Sequence, residues 1–72
     1  MIDLKMITAE NLERIRKRFG ITHSEFAERL GINRTTLYLY ESGKRVIPSE
    51  LIYRLYTNMD VEPNDVFGIV KD

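Results

Sequence analysis

ITHSEFAERLGINRTTLYLYESGKR, residues 21–45, is the stretch whose reading decides the fold. Thr22 followed three residues later by Glu25 is a capping box, and Ile21 before the cap can staple onto Phe26, so a helix starts at His23. Gly31 ends it, and a second start signal follows at once. Asn33 is a good N-cap, Ile32 before it can staple onto Leu37, and the run lasts to Ser42-Gly43. Two short helices are thus separated by the three-residue turn Gly31-Ile32-Asn33.

So short a turn, containing glycine, predicts a steep crossing of the two helices, the helix-turn-helix arrangement. Phe26, Ala27 and Leu30 form one apolar stripe, Leu37 and Tyr40 another, and the small Ala27 lets the helices approach. The remaining face of the second helix carries Arg34, Thr35, Tyr38, Leu39 and Ser42, a mixture that no core needs and that a groove-reading surface can use. Here the chain resembles the Cro/CI-type helix-turn-helix family of phage repressors and related bacterial regulators. The resemblance spans about Leu12 to Phe67 and rests on F-A-x-x-L-G-I from Phe26, on Leu37 at helical spacing, and on E-S-G-K-R from Glu41. It implies an all-α domain that binds double-stranded DNA.

Length and charge bound this reading. Seventy-two residues make one domain, near the lower limit for a core without metals or disulfides. With no cysteine and one histidine, a structural zinc site and a cysteine nucleophile are excluded, and no cofactor is expected. No apolar run approaches the roughly 20 residues of a membrane span, and no signal peptide opens the chain, so a cytoplasmic location is expected. The formal net charge is zero, which argues against nucleic acid until its distribution is considered. Residues 1–46 carry nine Lys and Arg against six acids, a net of +3, and residues 47–72 carry two against five, a net of −3. The basic half contains the motif, with the acidic end turned away from DNA.

In chain order, residues 1–7 alternate apolar and charged types and fit a short strand, an unstructured arm or a first helical turn. Thr8 reads as an N-cap with Ile7 and Leu12 as staple, and Leu12, Ile15 and Phe19 give a helix with one buried stripe up to Gly20. Arg16 lies on that stripe, and the acid similarly placed is Glu41, on the stripe of Leu37 and Tyr40. An ion pair between the first and third helices is therefore expected, and the family resemblance implies it too. The cluster Arg14, Lys17 and Arg18 reads as a solvated face. Pro48 opens a fourth helix at or near its first position, and Leu51, Ile52, Leu55, Tyr56 and Met59 recur at helical spacing. The family usually has a small residue where Tyr56 stands, which implies a repacked core or a partner for its hydroxyl. Pro63 starts a short fifth helix after the stop at Asp60. Val66, Phe67, Ile69 and Val70 then offer more apolar surface than one terminal turn covers, so either a second subunit or the fourth helix receives it.

The expected fold is thus an all-α bundle of five short helices in one domain, over 8–19, 23–31, 34–42, 48–59 and 63–67, with 68–72 as a tail. The helix-turn-helix is formed by the second and third. Adjacent His23 and Ser24 point about 100° apart with no third group to orient the imidazole, and no enzyme activity is expected. Under the resemblance Asn33, Arg34, Thr35, Tyr38 and Leu39 read bases, and Thr22, His23, Ser42, Lys44 and Arg45 contact phosphates. The function expected is that of a sequence-specific transcriptional regulator, dimeric at least on its operator. The alternative is a protein-interaction module, an antirepressor or an antitoxin, that holds a protein partner through the same fold.

Overall fold

The computed structural model describes residues 2–70, which form five helices: α1 (Leu4–Phe19), α2 (His23–Leu30), α3 (Arg34–Glu41), α4 (Ser49–Met59) and α5 (Pro63–Phe67). α1 begins four residues before the expected start. The Asp3 carboxylate accepts from the amides of Lys5 and Met6 at 3.1 and 3.4 Å, so Asp3 is the cap and Leu4 to Ile7 are helical. Thr8, read as the cap, is instead fully buried inside the helix, where its hydroxyl donates to the Leu4 carbonyl at 2.7 Å. A threonine satisfied by the carbonyl four residues back needs no helix start.

The two starts in the central stretch form as expected. Thr22 Oγ1 accepts from the Glu25 amide at 3.1 Å, Glu25 Oε1 accepts from the Thr22 amide at 3.2 Å, and Asn33 Oδ1 accepts from the Thr36 amide at 2.7 Å. Gly31 ends α2 at φ 70°, a left-handed conformation that only glycine adopts without strain. Ser42 and Gly43 end α3, and Pro48 sits at the cap position just before α4.

The core joins Leu12 and Ile15 of α1, Phe26 and Leu30 of α2, Leu37 of α3, and Leu51 and Leu55 of α4, with loop residues Ile47 and Val61 closing it. Two expected stripe members lie outside. Phe19 is 38% exposed at the end of α1, where the Arg18 guanidinium lies 5.8 Å from its ring centre. Tyr56 is 48% exposed, so the core accommodates no extra ring and needs no repacking there. α1 packs on α3 and α5, α2 on α3 and α4, and α4 on α5, which leaves the leading end of α3 at the surface.

Candidate nucleic-acid interface

α3 is placed from both of its ends. At the leading end, Asn33 stops the turn and starts the helix, so Arg34, its first residue, projects into solvent with Thr35 and Tyr38 beside it. At the trailing end the Glu41 side chain is 6% exposed and pairs with Arg16 of α1, Nε to Oε1 at 3.3 Å, as the wheel positions predicted. Arg16 Nη1 also donates to the Ile21 carbonyl at 3.2 Å, which ties α1 to the entry of α2.

Between the start of α2 and the outer face of α3 lies an open cleft of about 530 Å³, lined by Thr22, His23, Ser24, Arg34, Thr35 and Tyr38. Arg34 Nη1 leans across it to Ser24 Oγ at 3.4 Å. The capping box occupies the amides of Thr22 and Glu25, and those of His23 and Ser24, at the positive end of the helix dipole, have no partner among the described residues. Lys44 and Arg45 are exposed in the loop after α3. The cleft therefore combines one guanidinium, hydroxyls, an aromatic face and unpaired helix-start amides, and two further cations lie in the loop.

The other expected site residues fall differently. Leu39 is half-buried rather than fully outward, and it presents less surface than Tyr38. Ser42 is half-buried too, and its hydroxyl donates to the Leu39 carbonyl at 3.4 Å. His23 lines the cleft but also brings Nε2 within 3.6 Å of Glu41 Oε1, a contact that the sequence reading missed. Asn33 is exposed, with its side-chain oxygen committed to capping. Of the C-terminal apolar residues Val66 is fully buried in the core and is removed from any subunit interface, and Phe67 is half-buried. Ile69 and Val70 are exposed. The basic cluster on α1 is occupied by neighbours: Arg14 by Asn11 and the Asp65 carbonyl, Lys17 by Glu13, and Arg18 by Asp65. The Lys17 ammonium, hydrogen-bonded to Glu13, holds that carboxyl below its usual range.

Sequence reasoning also passed over Arg54 and Asn58 of α4. Arg54 Nη1 donates to the carbonyls of Leu30 and Gly31 at 3.0 and 3.3 Å, and Asn58 Nδ2 donates to that of Arg29 at 2.9 Å. Their spacing of four residues on one helix face was the available signal, but the carbonyls they meet lie on another helix.

Two capped helices joined by Gly31-Ile32-Asn33, the second with a polar and aromatic solvent face beside the start of the first, define a helix-turn-helix protein. Comparison with known proteins agrees: the family model described as a helix-turn-helix domain matches residues 9–68, and the chain belongs to that family. It is similar to a candidate HTH-type transcriptional regulatory protein of Pyrococcus furiosus, at 33% identity over 64 residues, which cover 85% of this chain and 20% of that protein. It is also similar to the antitoxin PezA of Streptococcus pneumoniae serotype 4, at 34% identity over 59 residues, which cover 82% of this chain and 37% of PezA. The chain thus spans about a fifth and just over a third of the length of these relatives. No solved structure matches significantly. Among the described residues no helix is long and apolar enough to cross a membrane.

Proposed function

We propose that this chain is a sequence-specific DNA-binding transcriptional regulator that reads the major groove with α3. The observation that carries the reading is the shared cleft: Arg34, Thr35 and Tyr38 are exposed along α3, opposite the free amides at the start of α2. A guanidinium at the leading end of the helix suits guanine O6 and N7 together. Thr35 and Tyr38, with the outer edge of Leu39 and the Asn33 amide, extend the reading surface. The Thr22 start and His23 take one phosphate, and Lys44 and Arg45 another. Ser42 contributes only if its hydroxyl leaves the Leu39 carbonyl. The reading assigns no catalytic step, and it places the work in the cytoplasm, where the operator is.

A single module reads few base pairs, so two copies one helical turn apart are required for specificity. Exposed Ile69 and Val70, with the outer part of Phe67, are the apolar surface we assign to that symmetric dimer. Repressor or Cro-like action belongs to this reading too, with operator occupancy as the means of control.

A second reading has its own support: one relative is named an antitoxin, and the exposed Tyr38 in a neutral chain suits a protein partner. One experiment separates the two. A duplex is selected by the protein from a random-sequence library and titrated, beside a scrambled duplex, at two salt concentrations. A DNA regulator prefers the selected duplex at both, with affinity for each falling steeply as salt rises. Weak binding with no preference favours the protein-partner reading.

A further inference from the structure

The turn of a helix-turn-helix must hold its second helix at a fixed attitude. Here α3 is anchored at its trailing end by the Arg16–Glu41 pair and in its middle by buried Leu37. Its leading end, where Arg34 projects, hangs from the three-residue turn. The last carbonyls of α2 have no partners within their own helix, as at every helix C-terminus. At this end the amides of Ile32 and Gly31 take the Ala27 and Glu28 carbonyls at 3.0 and 3.1 Å, and α4 takes the next three in the chain: Asn58 Nδ2 reaches the Arg29 carbonyl at 2.9 Å, and Arg54 Nη1 reaches those of Leu30 and Gly31 at 3.0 and 3.3 Å. Glu50 Oε1, 2.9 Å from Arg54 Nη2, holds the guanidinium in place from one turn earlier on α4. The fit is close, since a Cβ on Gly31 would stand 3.2 Å from Arg54 Nη1. A cation at the negative end of the α2 dipole is also favourable on its own account.

We propose that Arg54 and Asn58 are positioning residues for DNA reading: by clamping the carbonyls that end α2 they immobilise the turn and set the attitude of α3. The proposal rests on the reading of α3 as the groove-reading helix. Neither side chain lies in the cleft, and α4 packs on α2 and α5, so the effect runs through the backbone of residues 29–33. A small misplacement of a recognition group costs specific contacts first, because phosphate attraction tolerates ångström errors and bidentate base contacts do not.

The test uses the full chain as wild type, Arg54→Met, Arg54→Lys and Asn58→Ala. Arg54→Met keeps the aliphatic stem and loses the donors, and Arg54→Lys restores one cationic donor. Amide hydrogen exchange is measured by NMR at Gly31 and Ile32, whose amides donate to the Glu28 and Ala27 carbonyls at 3.1 and 3.0 Å, and, as reference, in the buried turns of α1. Each protein is then titrated with the selected and the scrambled duplex. We expect faster exchange at the turn than in α1 for Arg54→Met and Asn58→Ala. Their preference for the selected duplex should fall about 2- to 30-fold, with scrambled binding little changed and partial recovery in Arg54→Lys. Exchange that rises equally in α1 and at the turn, or a turn that stays protected, would overturn the clamp. A clamp confirmed by exchange but with full preference for the selected duplex would overturn its role in reading. If the wild type shows no preference between duplexes, the DNA reading itself falls and the positioning role with it, whatever the exchange data show.

Discussion

The Arg16–Glu41 pair carries the sharpest stability prediction. The Glu41 side chain is 6% exposed, one of its carboxylate oxygens lies 3.3 Å from Arg16 Nε, and Oε2 is buried with no hydrogen-bond partner among the described residues. Arg16, at 14% exposure, keeps a second partner in the Ile21 carbonyl. The two single deletions are therefore unequal. Arg16→Met leaves a buried carboxylate whose nearest cationic candidate is the half-exposed His23, 3.6 Å away. Glu41→Gln leaves a guanidinium that is still hydrogen-bonded and has some access to water. Breaking a buried pair typically costs about 3–5 kcal/mol, and with His23 nearby we expect about 3 kcal/mol for Arg16→Met and about 1–2 for Glu41→Gln. In a domain of this size 1 kcal/mol moves the midpoint by about 4–8 °C, so Arg16→Met should melt roughly 12–24 °C lower. Because Oε2 is unpartnered the pair is far from ideal, and Arg16→Met combined with Glu41→Leu should recover most of the loss. Urea and thermal unfolding followed by circular dichroism measure all three variants. A loss under about 1 kcal/mol for Arg16→Met, the range of exposed pairs, or a larger loss for Glu41→Gln, would refute the reasoning.

Arg34→Ala should weaken the selected duplex by about 1–3 kcal/mol and leave scrambled DNA nearly untouched, whereas Arg45→Ala should weaken both alike and lower the salt slope by about one; fluorescence anisotropy at several salt concentrations checks this pair. Ile69→Asp should put one protomer where the wild type places two on the selected duplex, as read by sedimentation, and two protomers of the variant per site would remove the C-terminal segment from the interface. Asp60 ends α4 at φ 58°, so Asp60→Gly should be neutral or gain up to about 0.5 kcal/mol in urea unfolding, and Asp60→Ala should cost about 1 kcal/mol.

Local chemistry made most of the motif legible. A capping box at Thr22 and Glu25, a glycine at 31 and an asparagine cap at 33 act within four residues of themselves, so the boundaries of α2 and the start of α3 need nothing from the rest of the chain. The Arg16–Glu41 pair was also readable, since a charge on an apolar stripe demands an opposite charge on another. Where two local readings compete, tertiary structure chose between them. Thr8 suits a helix start or a buried interior with its hydroxyl on Leu4, and only the packing of α1 against α3 and α5 together with the Asp3 cap selected the second. Periodicity gives the direction of a side chain but not how far the neighbouring element extends. Phe19 and Tyr56 follow an apolar stripe past the edge of the core, and Val66, Phe67, Ile69 and Val70 look alike in sequence but range from the core to open solvent. The clamp on the turn was beyond local reasoning altogether. Arg54 and Asn58 resemble any polar pair on a helix until folding carries the end of α2 to them, because a backbone carbonyl has no residue type by which a sequence could announce the partner it needs.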